Sequence, residues 1–152
     1  MNPVILADSR FLDGTPSATD TASGYDVLNI RDLKTYTHWK GASAGTKYIT
    51  VNCASAKAAD VLGIMKHNLG TAAASVSVES SPDNSTWTER LALFTPTSDK
   101  AILKTFESAT AQYWRLKIVS VSVAAQIAVC LLGARITFEV PPDAPFIPAS
   151  EQ

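Results

Sequence analysis

The sequence predicts an all-β fold, an antiparallel β-sandwich, and three observations carry that prediction. Apolar and polar residues alternate with period two at Ile49-Val51-Cys53, at Val76-Val78 and at Trp114-Leu116-Ile118, the pattern of strands buried on one face. Clusters of Pro, Gly, Asn, Asp and Ser separate these runs at fairly regular spacing, as turns do in sandwiches and barrels. No segment of useful length repeats apolar residues at helical period.

Val4-Ile5-Leu6 reads as a short strand, and Asp13-Gly14-Thr15-Pro16 as a turn. The small polar stretch from Ser17 to Gly24 reads as loop. Tyr25 to Leu33 reads as one helical turn or an irregular segment, followed by Thr35 to Trp39 and a Gly41–Gly45 loop. Lys47 to Cys53 alternates cleanly. The small residues Ala54 to Ala59 are expected to connect it to a second strand, Val61 to His67, which ends at an Asn68-Leu69-Gly70 turn.

Ser75 to Glu79 and Trp87 to Phe94 form the clearest hairpin. Pro82-Asp83-Asn84-Ser85 lies between them; Pro presets φ, while Asp and Asn tolerate positive φ and bond their own backbone. Trp87 is expected to seal one end of the core. After a Pro96–Lys100 turn come strands at Ala101 to Phe106, Tyr113 to Val121, and Gln126 to Phe138, the last bent at Gly133. Pro141 to Pro148 cannot join a ladder, because Pro lacks the N–H donor. It reads as an extended arm. The expected division is an N-terminal arm and first strand over 1–24, a sandwich over 25–138 and a Pro-rich arm over 139–152.

A chain of 152 residues fits one domain with a real core. Its net charge of -1 argues against a nucleic-acid binder, which needs a basic face to displace counterions, and against attraction to anionic membranes. The two cysteines, Cys53 and Cys130, sit in apolar runs and read as buried free thiols, with a disulfide between them left open. The first residues lack a basic stretch followed by an apolar one, so no signal peptide is expected. No apolar run approaches the ~20 residues of a membrane helix.

Catalytic machinery is sparse. The histidines are His38 and His67, and there is no Gly-x-Ser-x-Gly elbow or Gly-rich phosphate loop. No enzyme and no organic cofactor are expected. A zinc site from the two histidines lacks further ligands at sensible spacing.

Several pieces stand in a distinctive order. Asn29, Asp32, Thr37 and Trp39 come first, then Tyr48 to Asn52, then an apolar strand ending in His67-Asn68-Leu69. Ser81, Asp83, Ser85 and Trp87 follow at alternate positions, then Tyr113-Trp114-Arg115-Leu116 and a closing strand reaching Leu132-Gly133. This order resembles the discoidin, or coagulation-factor type C, family of galactose-binding-like jelly rolls, over about Asp26 to Phe138. Asp32 is followed by Leu33, where the family usually has Gly.

The resemblance implies a jelly roll, and a structural calcium in the first loop with Asp26, Asn29 and Asp32 as matching positions; oxygen donors suit calcium. The same residues also read as loop caps. For glycans, the residues matching a loop-end site are Tyr36, His38, His67, Asn68 and Arg115. Tyr36 and His38 are set to face solvent, His67-Asn68 reads equally as a turn-stabilising pair, and Arg115 reads equally as part of a solvated face.

Small proteins of this kind without a signal peptide look like those of tailed bacteriophages. The leading expectation is therefore a non-enzymatic structural or adhesion module of a phage tail or baseplate. It would be assembled into the virion in the host cytoplasm and would contact other virion subunits as a homo- or hetero-oligomer. The alternative is a carbohydrate-binding module recognising host-surface glycans through loops at one end of the sandwich.

Overall fold

The computed structural model describes the backbone of residues 4–6 and 8–137. Nine strands follow in the order β1 (Val4–Leu6), β2 (Ser17–Ala18), β3 (Trp39–Lys40), β4 (Gly45–His67), β5 (Ser75–Ser81), β6 (Thr88–Phe94), β7 (Ile102–Ser120), β8 (Gln126–Gly133) and β9 (Arg135–Thr137). A short helix α1 (Arg10–Asp13) follows β1, and a 3-10 helix (Val27–Arg31) follows β2. Every pairing is antiparallel. The main sheet runs β3-β8-β4-β7-β5-β6, with β2 added on β4, while β1 and β9 pair separately.

Two strands are far longer than their alternating segments suggest. Lys47–Cys53 and Val61–His67 are one strand, β4, and Ala101–Phe106 and Tyr113–Val121 belong to one strand, β7. The expected connection at Ala54–Ala59 is instead a kinked part of the ladder. Register shifts lie between Asn52 and Lys57 and between Ala59 and Val61. Extra residues on one strand bend it and increase its twist without ending the pairing. Ala54 takes φ +62°, and Asn52 Oδ1 accepts from the Ala54 amide at 2.9 Å and from Gln112 Nε2 at 3.1 Å. Small side chains let the corner close.

β4 and β7 thereby cross from one layer of the sandwich to the other. Gly45–Asn52 pairs with Tyr113–Ser120, which pairs onward with β5. Val61–His67 lies between the start of β7 and β8. Between the layers sit Ile49, Val51, Val76, Val78, Leu116 and Ile118 from one side and Leu62, Ile64, Ile127, Cys130 and Leu132 from the other, all buried. Trp39 and Trp114 are fully buried. Trp114 Nε1 donates to the carbonyls of Ala111 at 3.1 Å and Lys57 at 3.2 Å, tying the indole to both sides of the β4–β7 corner.

Trp87 does not seal the core. It is half-buried just ahead of β6, a strand most of whose side chains are exposed, and its ring covers the Arg115 guanidinium at 3.9 Å. The hairpin turn before it is closed by Asp83. Its carboxylate accepts from the amides of Thr86 and Ser85 and from the Ser81 hydroxyl, each at 2.9 Å. These bonds, the Thr86 amide first, hold the Asp83 carboxyl far below the usual carboxylate range. A carboxylate bound in the folded state stabilises above its unfolded pKa of ~3.9 and loses that contribution as pH falls towards the folded value. The stability difference between wild type and Asp83→Ala should therefore be full at pH 7 and shrink steadily below about pH 4. Urea titrations across that range check it; a difference that stays constant down to pH 2 refutes the assignment.

Residues before position 25 share the main core. Phe11 is fully buried, β2 pairs with Ile49 and Thr50 of β4, and Ser9 Oγ accepts from the Leu132 amide. Arg10 is buried and bridges Asp8 and Asp13. Both cysteines are free and buried. Burial raises the Cys53 thiol to about 11, and raises Cys130 as well, so neither is a reactive thiolate near neutral pH. Phe138, the Pro141–Pro148 arm and Met1–Pro3 lie outside the described residues. Among the described residues no helix is long and apolar enough to cross a membrane.

Candidate functional site

The loop between the 3-10 helix and β3 is pinned from both ends. Asp26 Oδ1 caps the helix by accepting from the Leu28 amide at 2.8 Å, and Asn29 Nδ2 donates to the His38 carbonyl at 3.0 Å. Asp32 accepts from the Lys34 amide and from the Thr37 hydroxyl, both at 2.8 Å; the Lys34 amide is the main cause of its lowered pKa. The residues matching a calcium position thus hold the loop as caps. Each side chain bonds a different protein partner. Among the described residues no three His, Cys, Asp or Glu side chains gather as a metal site.

The fixed loop presents Thr35 and His38 to a cleft at the rim where β4 ends and β8 begins. Lys66, His67, Asn68, Gln126 and Ala128 complete its lining, around a volume of about 120 Å³. That is well short of the ~300–1,000 Å³ of an enclosing small-molecule pocket, so the cleft admits part of one sugar-sized ring.

The lining divides into groups that build the cleft and groups left open to it. His67 is buried: Nε2 donates to the Lys100 carbonyl at 2.8 Å, and Nδ1 accepts from the Leu69 amide at 3.1 Å. Those two bonds assign the neutral tautomer with Nε2 protonated. Asn68 is held equally firmly, Nδ2 donating to the Ala124 carbonyl at 3.0 Å and Oδ1 accepting from the Gln126 amide at 2.7 Å. Thr35, His38, Lys66 and Gln126 carry no side-chain hydrogen bond to the protein among the described residues. The His38 ring packs on Tyr25, centroids 4.7 Å apart, and Lys40 Nζ lies 5.5 Å from the Tyr25 ring.

Of the residues proposed from sequence, His38, His67 and Asn68 meet here. Tyr36 lies in the same loop, 78% exposed, without lining the cleft. Arg115 is elsewhere, on β7 opposite Glu79, to which it is ion-paired. Its guanidinium lies between the rings of Tyr48 at 4.2 Å and Trp87 at 3.9 Å. Half-buried and not among the residues lining the cleft, it ties three strands by charge and cation–π contact.

Sequence reasoning missed Thr35, Lys66 and Gln126. Lys66 escaped because alternation puts it opposite Met65. Its φ of +51°, rare for a residue with a side chain, breaks the alternation, so that Met65 and Lys66 are both exposed between buried Ile64 and His67. Gln126 left a faint signal as the polar first residue of an otherwise apolar strand.

No family model and no curated protein matches the sequence. Solved structures do match in shape. The Clostridium perfringens module CpGH89CBM32-5, in complex with GalNAc-β-1,3-galactose, superposes with a TM-score of 0.71 at 14% identity, covering 84% of this chain and 100% of that one. This chain shares that module's fold, an antiparallel β-sandwich jelly roll. Chitosan-binding module 1 of a Paenibacillus sp. IK-5 chitosanase/glucanase has the same jelly roll, with a TM-score of 0.65 at 20% identity over 82% of this chain and 97% of that one. A pectin-binding carbohydrate-binding module gives 0.65 at 16% identity over 97% and 96%. At such identities the likeness is one of fold, and in this jelly roll the ligand chemistry rests on the cleft itself.

Proposed function

We propose that this jelly roll is a non-catalytic carbohydrate-binding module that takes a glycan residue in the rim cleft. One observation carries the reading: Thr35, His38, Lys66 and Gln126, from three separate elements, turn unspent polar groups into one shallow cleft whose walls are fixed by His67 and Asn68. Fixed walls with a few convergent polar groups are what oriented ligand binding requires. The neighbours reported above are carbohydrate-binding modules in the same fold, which supports the reading. The virion-subunit reading has no counterpart among them, and much of the two arms on which it relied lies outside the described residues.

A glycan array followed by calorimetry on the hits tests the proposal. His38→Ala and Gln126→Ala should each weaken binding about 3–10-fold, the loss of one or two hydrogen bonds, with the melting temperature of Gln126→Ala unchanged. Silence across a broad array, or full affinity in both variants, removes the cleft from consideration.

A further inference from the structure

The charge around the cleft is one-sided. Lys66 lines it and no Asp or Glu does. The carboxylates of the adjoining loops are occupied: Asp32 by the Lys34 amide and Thr37, and Asp99 by the Thr71 amide at 3.0 Å and hydroxyl at 2.6 Å. Two more ammonium groups stand on the loop side, Lys34 at 6.0 Å from the Tyr36 ring and Lys40 at 5.5 Å from the Tyr25 ring that supports His38. Among the described residues Lys34, Lys40 and Lys66 are in no ion pair, as is true of most of the chain's Lys and Arg; the paired ones are Arg10, Lys47, Arg115 and Arg135. The chain as a whole has net charge -1, so a lysine in a cleft without a carboxylate in its lining is a local feature.

Lys66 also holds its place at a cost. A left-handed backbone at a residue with a side chain is unfavourable, and such conformations persist where the surroundings fix them. Here the backbone of β4 continues beyond it into the His67 and Asn68 bonds that fix the rim. The result is an ammonium group beside neutral donors from Thr35 and Gln126.

Resting on the glycan reading above, we infer that the cleft selects an acidic sugar, a hexuronate residue whose carboxylate pairs with Lys66 while its hydroxyls meet Thr35, His38 and Gln126. A charged acceptor makes the stronger, shorter hydrogen bond to an ammonium donor. An amino sugar would bring a second cation to the same place and be repelled.

Calorimetry of the full chain with four probes decides it: oligogalacturonate, oligomannuronate, the methyl ester of the former and a neutral galacto-oligosaccharide. At least one uronate should bind 10-fold or more tighter than the ester and the neutral probe, and that margin should fall as salt screens the charge. Lys66→Gln should erase the margin between acid and ester while leaving the melting temperature unchanged, and Lys66→Arg should keep most of it. Equal binding of acid and ester, or a margin that survives Lys66→Gln, overturns the inference and leaves the glycan reading standing. Binding to the neutral probe alone does the same. No binding to any of the four, together with silence on the array, overturns both.

Discussion

Trp114→Ala should destabilise the domain by about 3–5 kcal/mol, the range for removing a large buried aromatic. Against a total of about 5–15 kcal/mol for a domain, that is a large share. For a chain of this length it corresponds to a melting temperature lower by roughly 6–20 °C. Two features put Trp114 at the upper end. Its indole is fully buried between the layers beside Phe106, with centroids 6.4 Å apart, so truncation leaves a cavity walled by strands that cannot close in. Its N–H also bonds the Ala111 and Lys57 carbonyls where β4 and β7 turn from one layer to the next. Trp114→Phe separates the two contributions, since it keeps most of the apolar area and forfeits only the two bonds, about 1–2 kcal/mol. Urea unfolding of both variants gives the comparison. A Trp114→Phe variant as unstable as Trp114→Ala would mean that the corner depends on the bonds and not on the packing.

Gly133→Ala should cost about 3 kcal/mol, the upper end of overpacking penalties. Gly133 ends β8, and a Cβ there would stand 2.0 Å from the Asp8 carbonyl oxygen. The obstacle is backbone and cannot swing aside as a side chain would. Relief requires shifting residues 8–10, which carry the Ser9 bond to Leu132 and the buried Arg10 with its Asp8 and Asp13 pairs. Gly41→Ala is the control. There the nearest atoms are 3.4 Å away, and little change is expected. Thermal unfolding of the pair reads the result; a Gly133→Ala protein that melts with wild type would mean that the N-terminal segment is not held against β8 in solution.

The alternating runs were legible because burial on one face is written directly into period two. Ile49-Val51-Cys53, Val76-Val78 and Trp114-Leu116-Ile118 all point inward as their spacing implies. The Asp83 turn was legible for a similar reason, since Asp, Asn and Ser act on their own neighbouring backbone. Strand length was not. Ala54–Ala59 has the composition of a loop, and only the pairing of Lys57, Ala58 and Ala59 with β7 keeps it in the ladder. Trp87 and Arg115 were misjudged together. Each looks ordinary alone, and Arg115 is held by Tyr48 and Glu79, both far from it in the chain.

The same division runs through the candidate site. The sequence by itself determined the fold class, the inward faces of the strands and a small set of polar loop residues, because these follow from local periodicity and local hydrogen bonding. It did not determine which polar residues remain open. His67 and Asn68 are engaged by carbonyls and amides of Lys100, Leu69, Ala124 and Gln126, while Thr35, Lys66 and Gln126 were brought to the same cleft by strands that meet only in the folded chain. A side chain's freedom to bind is what remains after its neighbours have taken their bonds, and tertiary structure alone chooses those neighbours.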